Sequence, residues 1–544
     1  RDFQQRRAQD AMTKALKTKK TEPDIKEESG VIPEAPAGPA KEEGPKVFIE
    51  KIEVEGVTVF RPAFIQKLVK PYEGTEMSLA GFQAVADKIT DEYRKRGYVT
   101  SVAYLLPQRI ENQTLRIAVS EGKVGEITVT GNRYFKASSL LRYLDQRKGD
   151  LFNYDTLREN VQYINEHPDR NASTVLAKGA GPGETDINME VRDKLPLHAT
   201  LGYNNYNSRF LEKNKYSTEL KATNFLGMGH IVSGEMQLGE AGRFSLYSAR
   251  YLLPIDEKSQ IGASYIHLYQ ELAGNVGDLE ITGRGDIVSL YYSYKLINTD
   301  NFTMSVVPGF EYKEIQNKLL GIIVSQDLMR IGKLGLDFDI SDPWGGRNII
   351  TQTFNFGIKD IFGGLGKNDP RASRAASKAG GQFFSSVTNF ARIQDLPWDL
   401  SYMMRGSMQL TGDALTSSEQ FNIGGFSTVR GYPVAEYAGD RGFQMSHELY
   451  VPPYGVPKDW RIPFTRETVY DSLRGLIFFD WGKVENKNPA VGELSQETIY
   501  SFGPGLRFDI PGKLSVSFDY GFGLGQKGSD GAKSRAYIEV KMFL

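Results

Sequence analysis

From Leu197 to its end the sequence predicts a membrane β-barrel of sixteen antiparallel strands, preceded by two small α+β domains. Three observations predict it. First, apolar and polar residues alternate from Leu197 onward: Leu514, Val516, Phe518 and Tyr520 share one face, and Ser515, Ser517 and Asp519 the other. Second, no apolar run approaches the roughly 18–20 residues of a spanning helix. A barrel strand turns only every second residue to lipid, so a mean hydropathy of −0.39 is compatible with a barrel. Third, residues 47–121 and 122–196 carry the same element order twice, β-α-α-β-β, which reads as an internal duplication.

Composition narrows the function. A chain of 544 residues is too long for one ordinary domain. With 66 Lys and Arg against 67 Asp and Glu, it has no basic excess to attract nucleic acid. The absence of cysteine removes disulfides, thiolate metal sites and cysteine nucleophiles. The chain starts at Arg1 without a methionine or signal peptide, so a mature or trimmed form is expected.

Arg1–Lys20 has helix-forming composition but only Phe3, Met12 and Leu16 as main apolar points, which suits a water-filled channel or solvent better than an oily core. Residues 21–46 are rich in Pro, Glu, Lys, Ala and Gly and read as a flexible linker. In the first repeat Val47–Val54 reads as a strand ended by Gly56, and Pro62–Lys70 and Ser78–Lys95 as helices. Leu79, Phe82, Val85, Ile89 and Tyr93 fall at helical spacing, and Gly97 stops the helix. The phrases IEKIEVEGVTVF and VGEITVTGNRYF align strand for strand and glycine for glycine.

Barrel strands are predicted at 198–207, 214–223, 230–238, 243–253, 259–267, 286–295, 302–312, 333–341, 350–359, 382–394, 398–409, 441–451, 472–483, 498–509, 513–521 and 535–543. Connections at one end are mostly long (268–285, 313–332, 360–381, 410–440, 484–497, 522–534), and those at the other are mostly brief turns. The long segment Pro452–Asp471 departs from that rule.

One long connection carries the candidate site. Gly424–Asp440 reads GGFSTVRGYPVAEYAGD, with Val429, Arg430, Gly431 and Tyr432 at its centre. A loop arginine is usually solvated, but these glycines let backbone approach closely, and Asp480 lies in the otherwise hydrophobic strand Leu476–Trp481, on the face of Phe478. A carboxylate there is costly toward lipid and is expected to face the lumen. An arginine in a closed polar cavity needs such a carboxylate to face. Other motifs carry less. Gly523, Gly525 and Gly528 fit G-x-G-x-x-G, but a strand follows where a dinucleotide site needs a helix, so they read as a mobile loop. The five histidines lack metal-ligand spacing, and no Ser/His/Asp grouping stands out. No enzyme activity, cofactor or metal is expected.

VRGY at 429–432, FFDWG with Asp480 and Gly482, the paired repeats and the basic N-terminal segment with its linker together resemble the two-partner secretion transporters. These are outer-membrane exporters of haemagglutinins, haemolysins and contact-dependent toxins. The resemblance implies polypeptide-transport-associated (POTRA) domains at 47–121 and 122–196 in the periplasm and a monomeric sixteen-stranded barrel in outer-membrane lipid of a Gram-negative bacterium. It also implies a plug helix at 1–20 and a secreted TpsA-type partner. Val429, Arg430, Gly431 and Tyr432 match the family's signature pore loop (410–440), and Asp480 and Gly482 its inward strand motif. One departure is the end of the chain, where Phe543 is penultimate and Leu544 last. An insertase of other membrane proteins is the alternative, and a passive porin, which needs no tandem repeats, the third reading.

Overall fold

The computed structural model describes residues 24–32, 45–206, 212–256, 258–272, 280–299 and 301–544. The basic segment 1–20, expected to be a plug helix, lies outside them. Two compact units result, one of the N-terminal repeats and one containing everything from Leu197 onward.

The repeat unit begins with β1 (Ile25–Glu27), inside the segment expected to be a flexible linker. The first repeat follows as β2 (Val47–Ile49), β3 (Lys51–Glu55), α1 (Pro62–Val69), β4 (Thr75–Met77), α2 (Leu79–Arg94), β5 (Val102–Leu105) and β6 (Thr114–Ser120). The second contains β7 (Lys123–Thr130), α3 (Ala137–Leu141), α4 (Tyr154–Asn165), β8 (Arg170–Lys178) and β9 (Glu184–Asp193). On α2, Phe82, Val85, Ile89 and Tyr93 are buried as their spacing predicts, whereas Leu79 at its first turn is 70% exposed. Ser78 caps that turn by accepting from the Gly81 N–H, and Gly97, at φ +82°, follows its end.

The duplication is visible in the hydrogen bonding. In each repeat the first strand runs parallel to the last, with the middle strand antiparallel outside it: β3-β6-β5 and β7-β9-β8. Gly56 and Gly131 both sit at positive φ, where a Cβ would lie 2.3 Å from the Val119 carbonyl oxygen in one repeat and 2.8 Å from that of Val191 in the other. Two residues beyond each valine a carboxylate closes the loop beyond the glycine. Glu121 accepts from the Thr58 and Val59 N–H groups, and Asp193 from those of Arg133, Tyr134 and Phe135. Burial opposes the charge on Glu121, but these bonds, with those from the Thr58 and Tyr93 hydroxyls, hold its pKa below the usual carboxylate value.

The second unit is a closed barrel of sixteen strands. They are β10 (Leu197–Asn204), β11 (Lys215–Phe225), β12 (His230–Gly239), β13 (Phe244–Pro254), β14 (Ser259–Glu271), β15 (Thr282–Asn298), β16 (Phe302–Leu319), β17 (Ile322–Ser341), β18 (Gly346–Gly357), β19 (Phe384–Asp395), β20 (Ser401–Thr411), β23 (Arg441–Val451), β24 (Leu473–Glu485), β25 (Gln496–Ile510), β26 (Leu514–Leu524) and β27 (Ser534–Phe543). Two short strands, β21 (Phe421–Ile423) and β22 (Tyr437–Gly439), pair with each other inside one connection. Every barrel neighbour is antiparallel. The ring closes between β10 and β27 over five residue pairs, Thr200 with Phe543 through Asn204 with Glu539, and Leu544 donates its N–H to the Ala199 carbonyl.

The long loop expected at 313–332 is instead strand. β16 and β17 run on as a hairpin turned by Leu320-Gly321, both at positive φ, the geometry of a two-residue hairpin turn. Charged residues such as Lys313 interrupt the apolar reading there because they point inward: Lys313 bridges Glu311 (3.2 Å) and Glu419 (2.6 Å) and is buried. Ile477 and Phe479 are exposed on the outer wall, while their neighbours Phe478 and Asp480 are buried. An apolar outer face around a polar lining is the pattern of a lipid-embedded barrel. Among the described residues no helix is long and apolar enough to cross a membrane.

Candidate functional site

The connection from β20 to β23 folds into the barrel. Its β21–β22 hairpin leans on the wall through Phe421, Ile423, Val429 and Tyr432, which are buried with Val484 and Ile499. The tip, residues 424–436, then projects Arg430 onto three wall strands, β23, β24 and β26.

Asp480 of β24 is the main receiver. The Arg430 Nε donates to Asp480 Oδ2 and Nη2 to Oδ1, both at 2.8 Å, and the Arg430 backbone N–H adds a third bond to Oδ2 at 3.1 Å. This two-pronged pairing is geometrically specific and strong. The fork also reaches Asp519 of β26 (3.2 Å) and Glu448 of β23 (2.8 Å), and it donates to the Ser446 hydroxyl, which donates in turn to Asp480 at 2.6 Å. Below it the guanidinium carbon lies 3.4 Å from the Phe478 ring centroid, a cation–π contact. Arg507 pairs with Asp519 and Arg405 with Glu448, so three arginines face three carboxylates. Arg430 and Asp480 are fully buried, as is Asp519. Burial alone would lower the arginine's pKa; Asp480, with Glu448 and Asp519, reverses that and raises it, so Arg430 stays charged.

Backbone makes room for this grip. Gly431, at φ +91°, donates its N–H to the Tyr537 hydroxyl, which donates to the Tyr432 carbonyl; the Tyr432 hydroxyl donates to Leu524. The wall is thinned to glycine where the loop touches it. A Cβ on Gly521 would stand 2.6 Å from the Gly431 nitrogen, one on Gly482 3.0 Å from Ile423, and one on Gly523 3.0 Å from the Tyr432 ring. Of the three glycines expected to form a mobile loop, Gly523 lies in β26 under the Tyr432 ring and Gly528, where a Cβ would stand 2.8 Å from Pro433, packs under the β20–β23 connection, while Gly525 lies beyond the strand end with open space around it. A Gly521→Val barrel is expected to retain every charged partner yet fail to seat the loop. Protease cleavage within 412–440 would then rise at least tenfold, and parental cleavage kinetics would show that the wall does not need glycine there.

A second buried arginine ties three connections together. Arg374, between β18 and β19, meets Asp440 at the end of the β20–β23 connection (2.6 Å) and Glu493, between β24 and β25 (2.9 Å). Asp440 also accepts from the Leu415 and Lys487 N–H groups, and Glu493 from the Ser377 hydroxyl and the Ala490 N–H. Among the described residues no group of His, Asp and Glu could hold a metal ion.

The model of the haemolysin secretion/activation protein family ShlB/FhaC/HecB matches residues 183–508. The chain belongs to this family. Its repeats match two further models, the ShlB-type POTRA domain over 47–122 and the surface antigen variable number repeat over 123–192. The heme/hemopexin transporter protein HuxB of Haemophilus influenzae (strain 86-028NP) is 24% identical over 463 residues, 83% of this chain and 78% of that protein. The outer membrane transporter CdiB of Escherichia coli O6:K15:H31 (strain 536 / UPEC) is 22% identical over 443 residues, 78% of this chain and 72% of that protein. The solved structure of CdiB from Escherichia coli superposes with a TM-score of 0.73 at 20% identity, covering 95% of this chain and 93% of that one. This ShlB/FhaC-family member is thus an outer-membrane barrel of the two-partner secretion transporters, its POTRA domains periplasmic.

All six residues singled out in the sequence meet at one place, with Gly482 beneath Val429 and Ile423 and Asp480 beneath Arg430. Sequence reasoning missed Asp519, Glu448, Ser446, Arg405 and Arg507 around the fork, and the whole Arg374 cluster. Asp519 had a signal, since it lies on the wet face of the cleanest alternating strand. Arg374 had none: its partners lie 66 and 119 residues away.

Proposed function

We propose that this ShlB/FhaC-family barrel exports one large secreted partner protein, a TpsA-type polypeptide held unfolded in transit. The periplasmic repeats capture an extended segment of it by strand addition, backbone bonds giving affinity and side-chain pockets giving choice. The barrel passes it outward once the basic segment 1–20 leaves the pore. The loop at 410–440 shifts or stays as a lining, and Arg430 and Asp480 govern which. The observation that carries this reading is a long connection folded into a closed barrel and held by one buried arginine among three wall carboxylates. Among the described residues no nucleotide site is evident, and folding of the partner outside is the proposed source of direction.

Deleting the gene is expected to leave the partner in the periplasm, with other outer-membrane proteins at parental levels. The second reading, an insertase, draws on the five-pair closure between β10 and β27, short enough to part sideways. A general fall in outer-membrane proteins in the deletion strain would favour that reading and sink the first.

A further inference from the structure

The end of the barrel from which β10 rises has short turns, with one exception. β23 leads into β24 through residues 452–472, whereas the flanking hairpins turn within 396–400 (β19 to β20) and 511–513 (β25 to β26). Prolines at 452, 453, 457 and 463 keep this connection from extending the ladder, because proline has no N–H to give. It runs along the rim instead. The Tyr454 hydroxyl donates to the Trp398 carbonyl at 2.7 Å, the Tyr470 hydroxyl donates to Asp399 at 3.1 Å, and Lys458 lies 3.5 Å from the same carboxylate. On the other side Lys513 donates to the Phe464 carbonyl at 3.2 Å.

This rim is aromatic and uncovered. Phe464 sits at φ +62°, a conformation that bulky residues rarely adopt, and its ring is fully exposed. Trp460 and Tyr454 are each 59% exposed, and Trp344 and Trp398, in two turns further round, 79% and 80%. Three of the chain's four tryptophans therefore stand here. The outer wall changes character at the same level. Arg392 of β19 lies eight residues from the exposed Phe384, so strand alternation puts it on the outer face, where it meets Asp342 at 2.6 Å and Asn348 at 2.8 Å. An ion pair on that face marks where hydrocarbon gives way to headgroups. Trp344 is two residues from Asp342, and Trp398 six from Arg392. Rings with an apolar body and a polar edge collect at such a boundary.

We propose that residues 452–472 lie on the periplasmic leaflet of the outer membrane, with Trp460, Phe464 and Trp398 sunk into its headgroup–acyl boundary. Phospholipid is the partner because the patch begins where the lipid-facing wall stops. The connection holds three basic and three acidic residues, so the contact rests on aromatic rings and not on anionic lipid. Its length follows from this, since a brief turn would carry no ring beyond the wall. Such contact is made whether or not the barrel exports a polypeptide.

The full-length protein is prepared in three forms that each keep one tryptophan, Trp398, Trp460 or Trp481, the other three being replaced by phenylalanine. All are reconstituted in phosphatidylcholine vesicles, with heat-modifiable mobility reporting the folded barrel. Trp481, on the outer wall against Phe443 at a centroid distance of 4.8 Å, is the lipid control. Lipid brominated near the carbonyl end of its acyl chains is expected to cut the emission of Trp398 and Trp460 at least twofold. Iodide on both sides of the vesicle is expected to leave it nearly unchanged. The chain has no cysteine, so a nitroxide on Phe464→Cys gives a reading free of the tryptophan substitutions. Its collisions with oxygen should exceed those with a water-soluble nickel chelate, while Val491→Cys, exposed between β24 and β25 at the opposite end, should show the reverse. Quenching of Trp398 and Trp460 by iodide and not by brominated lipid, or a Phe464→Cys label that behaves like Val491→Cys, overturns the proposal and leaves this rim in water.

Discussion

An Arg430→Ala protein is expected to insert as a closed barrel and to export poorly. Insertion survives because the sixteen-strand ladder is backbone pairing and no strand depends on Arg430 for its register. Export falls because the substitution leaves Asp480 buried without the arginine that faces it, with Asp519 keeping only Arg507 and Glu448 only Arg405. Removing one partner of a buried pair costs about 3–5 kcal/mol, enough to shift the loop's seated-to-unseated ratio by roughly two to four orders of magnitude. The measure is partner protein in the medium against partner held in the periplasm, with heat-modifiable mobility on gels reporting insertion. A cycle with Asp480→Ala sharpens it: the double variant should be little worse than either single one, because both remove the same contact. Export at the parental level by Arg430→Ala would take the loop out of the mechanism.

The sequence shows the part of this architecture that is periodic or local. Most of the sixteen strands stand near where alternation puts them because each turns one face to lipid and one to water, and that contrast is written at every second residue. The pairing of Arg430 with Asp480 was legible for a related reason: a carboxylate among Leu476, Ile477, Phe478, Phe479 and Trp481 is costly unless it faces inward and is met. Alternation failed for β16 and β17, whose upper turns carry charge toward a buried cluster around Lys313 and Glu419, so the polarity contrast that marks a strand was lost. It failed for β1 as well, since three residues of a Glu- and Lys-rich segment become a strand only because an unfilled sheet edge lies beside them. Contacts between distant loops leave no local trace.

The Arg374 cluster yields the second large effect, at the opposite end of the same loop. Arg374→Ala leaves Asp440 with backbone donors only, and releases Glu493 from its two-pronged partner, so three connections lose their common tie. Added protease should cut within 358–383 and 486–495 at least tenfold faster than in the parent. The same loosening should follow acid, and its direction is fixed by Glu493. The bonds from Arg374 hold that carboxyl down to about 2 against an ordinary value of 4.5. A depressed folded-state pKa contributes stability that is whole above about 4.5 and drains away as pH falls toward 2. Cleavage of the parent should therefore accelerate across that interval, using an acid-active protease, while Glu493→Gln should be fast and nearly flat with pH. Parental loops that are cut equally slowly at pH 5 and pH 2.5 would mean that Arg374 holds nothing that matters to the opening of the barrel's outer end.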